Sequence, residues 1–539
     1  MHSSFTRGLG LLALTATLMT VSSSCVKDLD QQPTYRASAE VIYSDPAQIE
    51  QVVARLYGGL AMTGQGQAGS AAEINDLVKI NGDYSNYVRN YFNLQEVTTD
   101  EATLAWGDAG IPDFNRVQWT ADNQFIRGMY ERFFFQISAC NEFLRQTTDS
   151  KMSERGISGA NAEKVRQYRA EARFLRALTY THLLDLFGRV PFVTEEDNVG
   201  TLPKQKTSAE IFAYIDSELK AIEGSLLAPG SVYGRADKGA CWALQTMLYL
   251  NAEVFAKTNR YTDAVTYAKK VIDSGYSLAP EYRSLFLADN GSTAAKNEII
   301  FPVVFDGVYT QNYGGTTFLT HASIGGSMNA ADFGVNNGWF GLRTKKNLVD
   351  LFPEGGNDKR AMFYTSGQSK EITNFTNFND GYAVTKWRNV NLDGTPGSWY
   401  PKPDGTGGNG DFVDTDFPMF RLADVMLMYA EAVLRGGQGG SEAQALTYVN
   451  QIRSRAGATA LGSLSLDEIL NERARELYWE AHRRTDLIRF GKYTTAAYVW
   501  PFKGGVPEGT GVEDFRVVFP IPSSDLIANP NLKQNIGRQ

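Results

Sequence analysis

Aromatic rings and small residues are interleaved in one stretch that carries almost no charge, Val308 to Phe340. Tyr309, Tyr313 and Trp339 lie there among glycine, asparagine, threonine and serine. A flat ring can stack on the C–H face of a sugar, while amide side chains bond its hydroxyl edge. The stretch follows neither the helical period nor strand alternation, so it predicts a long loop suited to binding. The alternative is a glycine-rich loop whose rings simply join the core.

A second aromatic stretch lies between residues 81 and 119. Part of it, TTDEATLAWGDAGIP, has the composition of a loop. The stretch adds five rings and one arginine to the candidate binding residues: Tyr84, Tyr87, Arg89, Tyr91, Trp106 and Trp119.

Composition limits the partners and cofactors. The chain has 539 residues and a formal net charge of −8, with charges of both signs interspersed, which argues against nucleic acid. Beyond the N-terminal region, Cys140 and Cys241 lie in apolar helical sequence and are predicted to be buried thiols. Together with His182, His321 and His482 they cannot easily build a zinc site.

The N-terminus resembles that of an exported lipoprotein. Arg7 precedes a short apolar run, Gly8 to Met19, which is typical of a signal peptide and too short to span a bilayer. Small residues then lead to Cys25, which predicts cleavage after residues 1–24 and acylation of the new terminal thiol. Residues 25–40 would form a polar tether, and the acyl chains would hold the protein on a membrane. Ordinary signal cleavage beside an unmodified cysteine is the alternative.

Apolar residues at the helical period predict a mainly α fold built from tetratricopeptide-like helix pairs. One body, 41–539, is expected, with a helical scaffold over 41–275 and 419–539. Individual helices are predicted over residues 45–60, 124–146, 162–187 and 208–222, with helix pairs over 236–274 and 421–456.

The low-periodicity segment 276–418 is predicted to be a loop-rich insertion with short strands at EIIFPVVF and YAVTKWRNV. Within the second scaffold segment, residues 467–491 are predicted to form one helix rich in Glu and Arg. Glu476, Glu480 and His482 there could suggest acid–base chemistry, but the spacing favours a structural, ion-paired helix. The tail FPIPSSDLIANPNLKQN is predicted to be an extended strand and a turn.

Five long segments resemble the SusD/RagB family of outer-membrane nutrient-binding lipoproteins, and the likeness covers nearly the whole mature chain. The segments are EARFLRALTYTHLLDLFGRVPF, GRADKGACWALQTMLYL, DTDFPMFRLADVMLMYAEAVLR, ERARELYWEAHRRTDLIRFG and IPSSDLIANPNLKQN. Further segments, NYGG, NNGW, TTDEATLAWGD and YVRNYFN, are similar to the binding site of the family's starch-binding members.

The resemblance implies a site for α-glucan, including starch and maltooligosaccharides. By motif, Trp106, Tyr313 and Trp339 would form an aromatic arc that follows the curve of the glycan. Arg89 would bond sugar hydroxyls, and Asp108 lies near the position of a further polar contact.

The resemblance also implies a partner and a metal ion. Family members sit over a TonB-dependent transporter of the SusC type, to which they pass glycan. Some bind calcium through a segment similar to VDTDFP, so Asp414 and Asp416 are candidate ligands, with a further ligand near Asp289. The alternative for the aspartate pair is a solvated turn.

The leading hypothesis is therefore a cell-surface α-glucan-binding lipoprotein of the outer membrane that is not an enzyme. One alternative keeps the fold but binds another glycan or a peptide. Another is a lipoprotein glycoside hydrolase, which needs two opposed carboxyl groups roughly 5–10 Å apart. The sequence does not point to any particular pair of carboxyl groups.

Overall fold

The computed structural model describes residues 39–64, 76–77, 80, 82–401, 405 and 407–535. Cys25, the signal peptide and most of the tether lie outside the described residues, so the expectations for them stay predictions. Within the described ranges, no helix is both long and apolar enough to cross a membrane.

Helices make up most of the regular structure, which confirms the predicted mainly α class. The α-helices are Ala39–Ile42, Pro46–Ala61, Tyr87–Phe92, Ile111–Arg116, Gln124–Gln146, Asp149–Glu154, Gly159–Phe187, Ser208–Ile222, Lys238–Leu250, Ala252–Ala256, Tyr261–Ile272, Gly315–Ala322, Lys346–Val349, Leu422–Leu434, Glu442–Ala456, Leu466–Leu477, Arg483–Arg489 and Ser523–Ala528. The strands pair antiparallel in twos: Ala102–Leu104 with Leu342–Thr344, Val190–Pro191 with Gln205–Lys206, Ile299–Val303 with Phe417–Arg421, and Phe363–Tyr364 with Ala383–Val384.

The scaffold helices begin and end close to where the sequence places them. The side chain of Asp45 accepts a hydrogen bond from the Ala47 N–H and caps the helix Pro46–Ala61. The long helix Gly159–Phe187 ends at Gly188, whose φ of 65° is accessible to glycine at little cost. In the predicted pairs, Lys238–Leu250 packs on Tyr261–Ile272, which in turn packs on Leu422–Leu434.

Two C-terminal predictions are wrong. Residues 467–491 form two helices rather than one, because Trp479 and Ala481 adopt left-handed backbone conformations with φ of 63° and 66°. Between them Glu480 bonds Lys386 and Arg421, tertiary contacts that local periodicity does not encode. The tail, predicted to be extended, contains the short helix Ser523–Ala528.

The loop predicted over residues 308–340 contains a helix, Gly315–Ala322. All eight of its residues are buried. At eight residues it makes little more than two turns, which is too short for a helical period to be recognised in sequence.

Buried ion pairs fasten the insertion to the scaffold. Arg360, from the insertion, bonds Glu472 and Glu476 at 2.8 and 3.1 Å. Arg421 reaches the Glu476 and Glu480 carboxylates, both at 2.6 Å. All of these side chains are at most 1% exposed. The interpretation of these glutamates as structural ion-pair partners is confirmed.

Candidate functional site

Trp106, Tyr313 and Trp339 lie together although they are far apart in the sequence. The ring centroids of Trp106 and Trp339 are 6.4 Å apart, and those of Tyr313 and Trp339 are 5.9 Å apart. Each ring is partly exposed. Neighbouring rings are inclined by 44° and 66°, so the three form a bent surface rather than a flat one. We call these three rings the aromatic arc.

A strand pair brings the two tryptophans together. Leu104 pairs with Leu342, so the chain leaves one strand two residues before Trp106 and enters the other three residues after Trp339. The Trp106 indole N–H then donates to the Trp339 carbonyl oxygen at 2.9 Å. A Cβ on Gly341 would come within 2.9 Å of the Trp106 ring, so this close approach requires glycine.

Asparagine side chains fix the backbone around Tyr313. The Asn86 Oδ1 accepts from the Gly315 N–H at 3.0 Å, and the Asn312 Oδ1 accepts from the Gly314 N–H at 2.7 Å. A Cβ on Gly314 would meet the Asn86 side chain at 2.1 Å, so this asparagine fits only against glycine. These bonds define where Tyr313 stands, directly before the buried helix Gly315–Ala322.

Arg89 lies beneath the arc and is only 6% exposed. Its guanidinium carbon stands 4.6 Å from the ring centroid of Phe318 and 5.5 Å from that of Trp106. One guanidinium nitrogen donates to the Tyr313 carbonyl oxygen at 3.2 Å. Sequence reasoning assigned Arg89 to sugar hydroxyls, whereas these contacts make it a support that joins two members of the arc. Any contact with sugar stays a prediction.

Sequence reasoning missed two residues that support the arc, His321 and Phe412. The His321 ring stacks on Trp339 at 4.5 Å and 17°, so it covers one indole face. Its two ring nitrogens lie 2.8 and 2.9 Å from the carbonyl oxygens of Asn337 and Asp411. The available signal was a histidine in a stretch almost without charge.

The electrostatics of this histidine follow from its position. Burial lowers the pKa of His321, and the two facing carbonyl oxygens act in the opposite direction because they accept from the protonated ring. Phe412 supports Tyr313, at one end of the arc, with the two ring centroids 5.4 Å apart.

Polar groups surround the rings. Asp108 is exposed and accepts from the Tyr84 hydroxyl at 3.4 Å, a weak bond that leaves most of its acceptor capacity for a ligand. Asn336 and Asn337 are exposed beside Trp339, and the Asn336 amide donates to Asp411. Such side chains suit the hydroxyl edge of a sugar, and a contact between Asp108 and sugar stays a prediction.

The candidate calcium ligands accept hydrogen bonds from protein donors. Asp414 accepts from the Gly307 N–H at 2.8 Å and the Ser398 hydroxyl at 2.7 Å. Both of its oxygens have protein donors, since the Ser398 N–H bonds the second one. A calcium site needs carboxylate oxygens that face a shared ion.

Asp416 is buried and lies near the carboxylates of Asp414 and Asp306, which act on its pKa in the same direction as burial. Burial raises its pKa to about 7, against hydrogen bonds from the Phe305 N–H and the Tyr233 hydroxyl. Asp289 accepts instead from the Leu392 N–H. Across the described part of the chain, no group of three or more His, Cys, Asp or Glu side chains could hold a metal ion. No ligand set for calcium is therefore seen around the candidate residues, and calcium binding stays untested.

The fold and the site define a class, and comparison with known proteins identifies it. A model of the SusD family matches residues 297–537. Starch-binding protein SusD of Bacteroides thetaiotaomicron is 36% identical, with both chains covered in full. The chain belongs to the SusD family. This relative is named as a binding protein, in agreement with the prediction that the chain is not an enzyme.

Solved structures agree on the fold. A SusD superfamily protein from Parabacteroides distasonis has a TM-score of 0.69 at 23% identity, covering 91% of this chain and 99% of its own. Surface glycan-binding protein A from Bacteroides thetaiotaomicron, solved with laminarihexaose, has a TM-score of 0.67 at 19% identity with the same coverage. At these identities the likeness extends to the fold alone.

Proposed function

We propose that the protein binds α-glucan chains on the aromatic arc. The observation that carries the proposal is the inclination of neighbouring rings by 44° and 66°. Rings tilted in this way can each face a sugar only if the chain turns between them, as an α-1,4-glucan does. A flat β-linked chain such as cellulose would meet one ring and miss the others. The 36% identity to a starch-binding protein supports the same assignment.

The residues that support the arc pre-organise its rings for binding. His321 covers one face of Trp339, and Arg89 ties the Tyr313 backbone to the Trp106 ring. Rings held in place before the ligand arrives lose little entropy on binding. Hydroxyl bonds largely replace bonds to water at small net gain, so stacking should supply most of the affinity. By analogy with aromatic pairs, each ring would contribute about 0.5–1.5 kcal/mol beyond its buried area.

Isothermal titration with a cyclic maltooligosaccharide tests the proposal. Trp106→Ala, Tyr313→Ala and Trp339→Ala should each weaken binding several-fold, and the triple variant should nearly abolish it. Trp242→Ala is the matched control, because Trp242 is a partly exposed tryptophan of the scaffold helix Lys238–Leu250. Unchanged affinity in all three single variants, with folding intact, would overturn the site.

The ligand class is tested separately with a panel of chains. Wild-type protein should bind the cyclic maltooligosaccharide well and cellohexaose poorly. Stronger binding to laminarihexaose than to the α-glucan would leave the proposed site standing but would overturn α-glucan as its ligand. Incubation of purified protein with amylose should release no reducing sugar, because the proposed role is binding without cleavage.

The cellular setting is also a proposal, and it rests on the family. Acylation at Cys25 would anchor the protein to the outer membrane at the cell surface. Cys25→Ala should then release the protein from membranes and lower its mass. A TonB-dependent transporter would receive the glycan, and a pull-down from solubilised outer membrane should recover a large barrel protein. Repeated absence of such a partner would contradict the delivery role.

A further inference from the structure

Phe340 combines two features that are unusual for a phenylalanine. It follows Trp339 in the chain, yet its side chain is 51% exposed. Its φ is 53°, in the left-handed region that non-glycine residues rarely occupy. Neither feature helps the fold, since an exposed ring gains little from burial and the backbone there is strained.

The surrounding backbone forces this conformation. The Trp339 N–H donates to the His321 carbonyl oxygen at 2.8 Å, and the Phe340 N–H donates to that of Ile324 at 3.0 Å. The same bonds that fix Trp339 therefore fix its neighbour. Glycine or asparagine would adopt this φ more easily, so the backbone alone gives no reason for a ring here.

The Phe340 ring is held in place although it is exposed. It meets the Phe378 ring at a centroid distance of 5.6 Å and an angle of 66°, an edge-on contact. Phe378 itself is buried, so the open aromatic surface belongs to Phe340. A Cβ on Gly325 would come within 2.7 Å of both rings, so a glycine makes room for the pair.

We propose that Phe340 is a further stacking residue that extends the binding surface beyond the aromatic arc, beside its central ring, Trp339. The inference rests on the proposed function, because its ligand is the same glycan chain. Cα atoms of neighbouring residues are about 3.8 Å apart, so the exposed Phe340 ring is carried by the backbone directly beside Trp339. A chain that is long enough would contact both, whereas a short one would fill the arc alone. Phe340 would thus give the protein a preference for longer glycan chains.

The test separates chain lengths by titration with maltotriose and maltoheptaose. Phe340→Asn keeps a residue that tolerates left-handed φ but removes the ring. We expect it to weaken maltoheptaose binding about 5-fold, by analogy with the worth of an aromatic pair, and to leave maltotriose binding unchanged. Phe340→Tyr keeps a ring and should bind both chains like the wild type. The melting temperature of Phe340→Asn should not fall, since the substitution relieves backbone strain.

Phe502 provides the matched control. It is another phenylalanine with left-handed φ, 67°, and its ring meets that of Phe375 edge-on at 5.1 Å. Phe502→Asn should leave the affinity for both chains unchanged.

The outcomes distinguish this inference from the function on which it rests. If Trp339→Ala weakens binding while Phe340→Asn binds maltoheptaose like the wild type, the inference fails and the proposed function stands. An equal loss for both chain lengths would mean that Phe340 only supports Trp339, which also overturns the inference. Wild-type protein that binds neither chain would overturn both.

Discussion

The Trp106 indole N–H donates to the backbone carbonyl oxygen of Trp339 at 2.9 Å, across 233 residues of chain. One binding ring is thus hydrogen-bonded to the backbone that carries another. The bond joins the loop that follows the strand Ala102–Leu104 to the loop that precedes its partner, Leu342–Thr344. The arc therefore forms only when these two strands have paired. The geometry of the site is therefore a property of the tertiary fold and not of either loop.

The first prediction concerns this bond. Trp106→Phe keeps a ring but removes the donor, which leaves the Trp339 carbonyl oxygen without this partner. We expect the affinity of Trp106→Phe for a cyclic maltooligosaccharide to lie between the affinities of the wild type and of Trp106→Ala. Titration calorimetry measures the loss. If Trp106→Phe and Trp106→Ala are equally weak, the ring alone does not account for the contribution of Trp106.

The second prediction concerns the support beneath the arc. Arg89→Lys keeps the positive charge but loses the planar group that lies against Phe318 and reaches Tyr313. We expect weaker glycan binding together with a lower melting temperature. Arg89→Met, which also fills the space but carries no donor, should weaken binding further.

A surface role for Arg89 predicts a different pattern. If Arg89 acts only by bonding sugar hydroxyls, both variants should lose affinity with no change in melting temperature. The combination of titration and thermal unfolding therefore decides between support and direct contact.

The third prediction concerns calcium. Because the acceptors of Asp414 and Asp416 are already bonded to protein donors, neither added Ca²⁺ nor a chelator should change the melting temperature. A ligand that binds the folded state raises stability in proportion to the logarithm of its concentration, so a real site would show a concentration-dependent rise. Such a rise, absent in Asp414→Ala, would restore the calcium hypothesis.

The fourth prediction uses the raised pKa of Asp416. Burial raises this pKa to about 7, above the ordinary 3.8, so the folded protein binds a proton that the unfolded chain releases. Stability from this group is present below about pH 4 and is lost as pH rises towards about 7. Asp416→Asn removes the titration and should be more stable than the wild type at pH 8, as measured by urea unfolding. A variant less stable than the wild type at pH 8 would contradict the assignment.

Sequence patterns predicted the scaffold because its helices have one apolar and one polar face. The helices Gln124–Gln146 and Ser208–Ile222 were predicted with the bounds that they have. The helix Gly315–Ala322 escaped detection because its eight residues are too few to establish a helical period. The break at Trp479 to Ala481 escaped because it depends on residues far away in the chain.

The candidate site was predictable only in part. Residue types marked Tyr313 and Trp339 as binding rings, but their meeting with Trp106 came from a family resemblance and not from spacing. The burial of Arg89 and the stacking of His321 on Trp339 depend on packing between distant segments. Nothing local to those residues encodes such contacts.

The last prediction concerns the ion pairs that hold the insertion against the scaffold. Burial alone would raise the pKa of Glu476, but Arg455, Arg421 and Arg360 outweigh it and lower the pKa to about 2. Removing one partner of a buried ion pair leaves an uncompensated charge, so Glu476→Gln should lower the free energy of unfolding by about 3–5 kcal/mol at pH 7. Urea unfolding measures the difference.

The stability that Glu476 contributes should depend on pH in a defined direction. Since the pKa of Glu476 is depressed from 4.5, its contribution is present above about pH 4.5 and is lost as pH falls towards about 2. The gap between wild type and Glu476→Gln should therefore narrow at pH 3. The control is Asp467→Asn, which removes the exposed pair with Lys492 and should change the unfolding free energy by at most about 1 kcal/mol. A gap that stays equal at pH 7 and pH 3 would show that the charge of Glu476 is not what stabilises the junction.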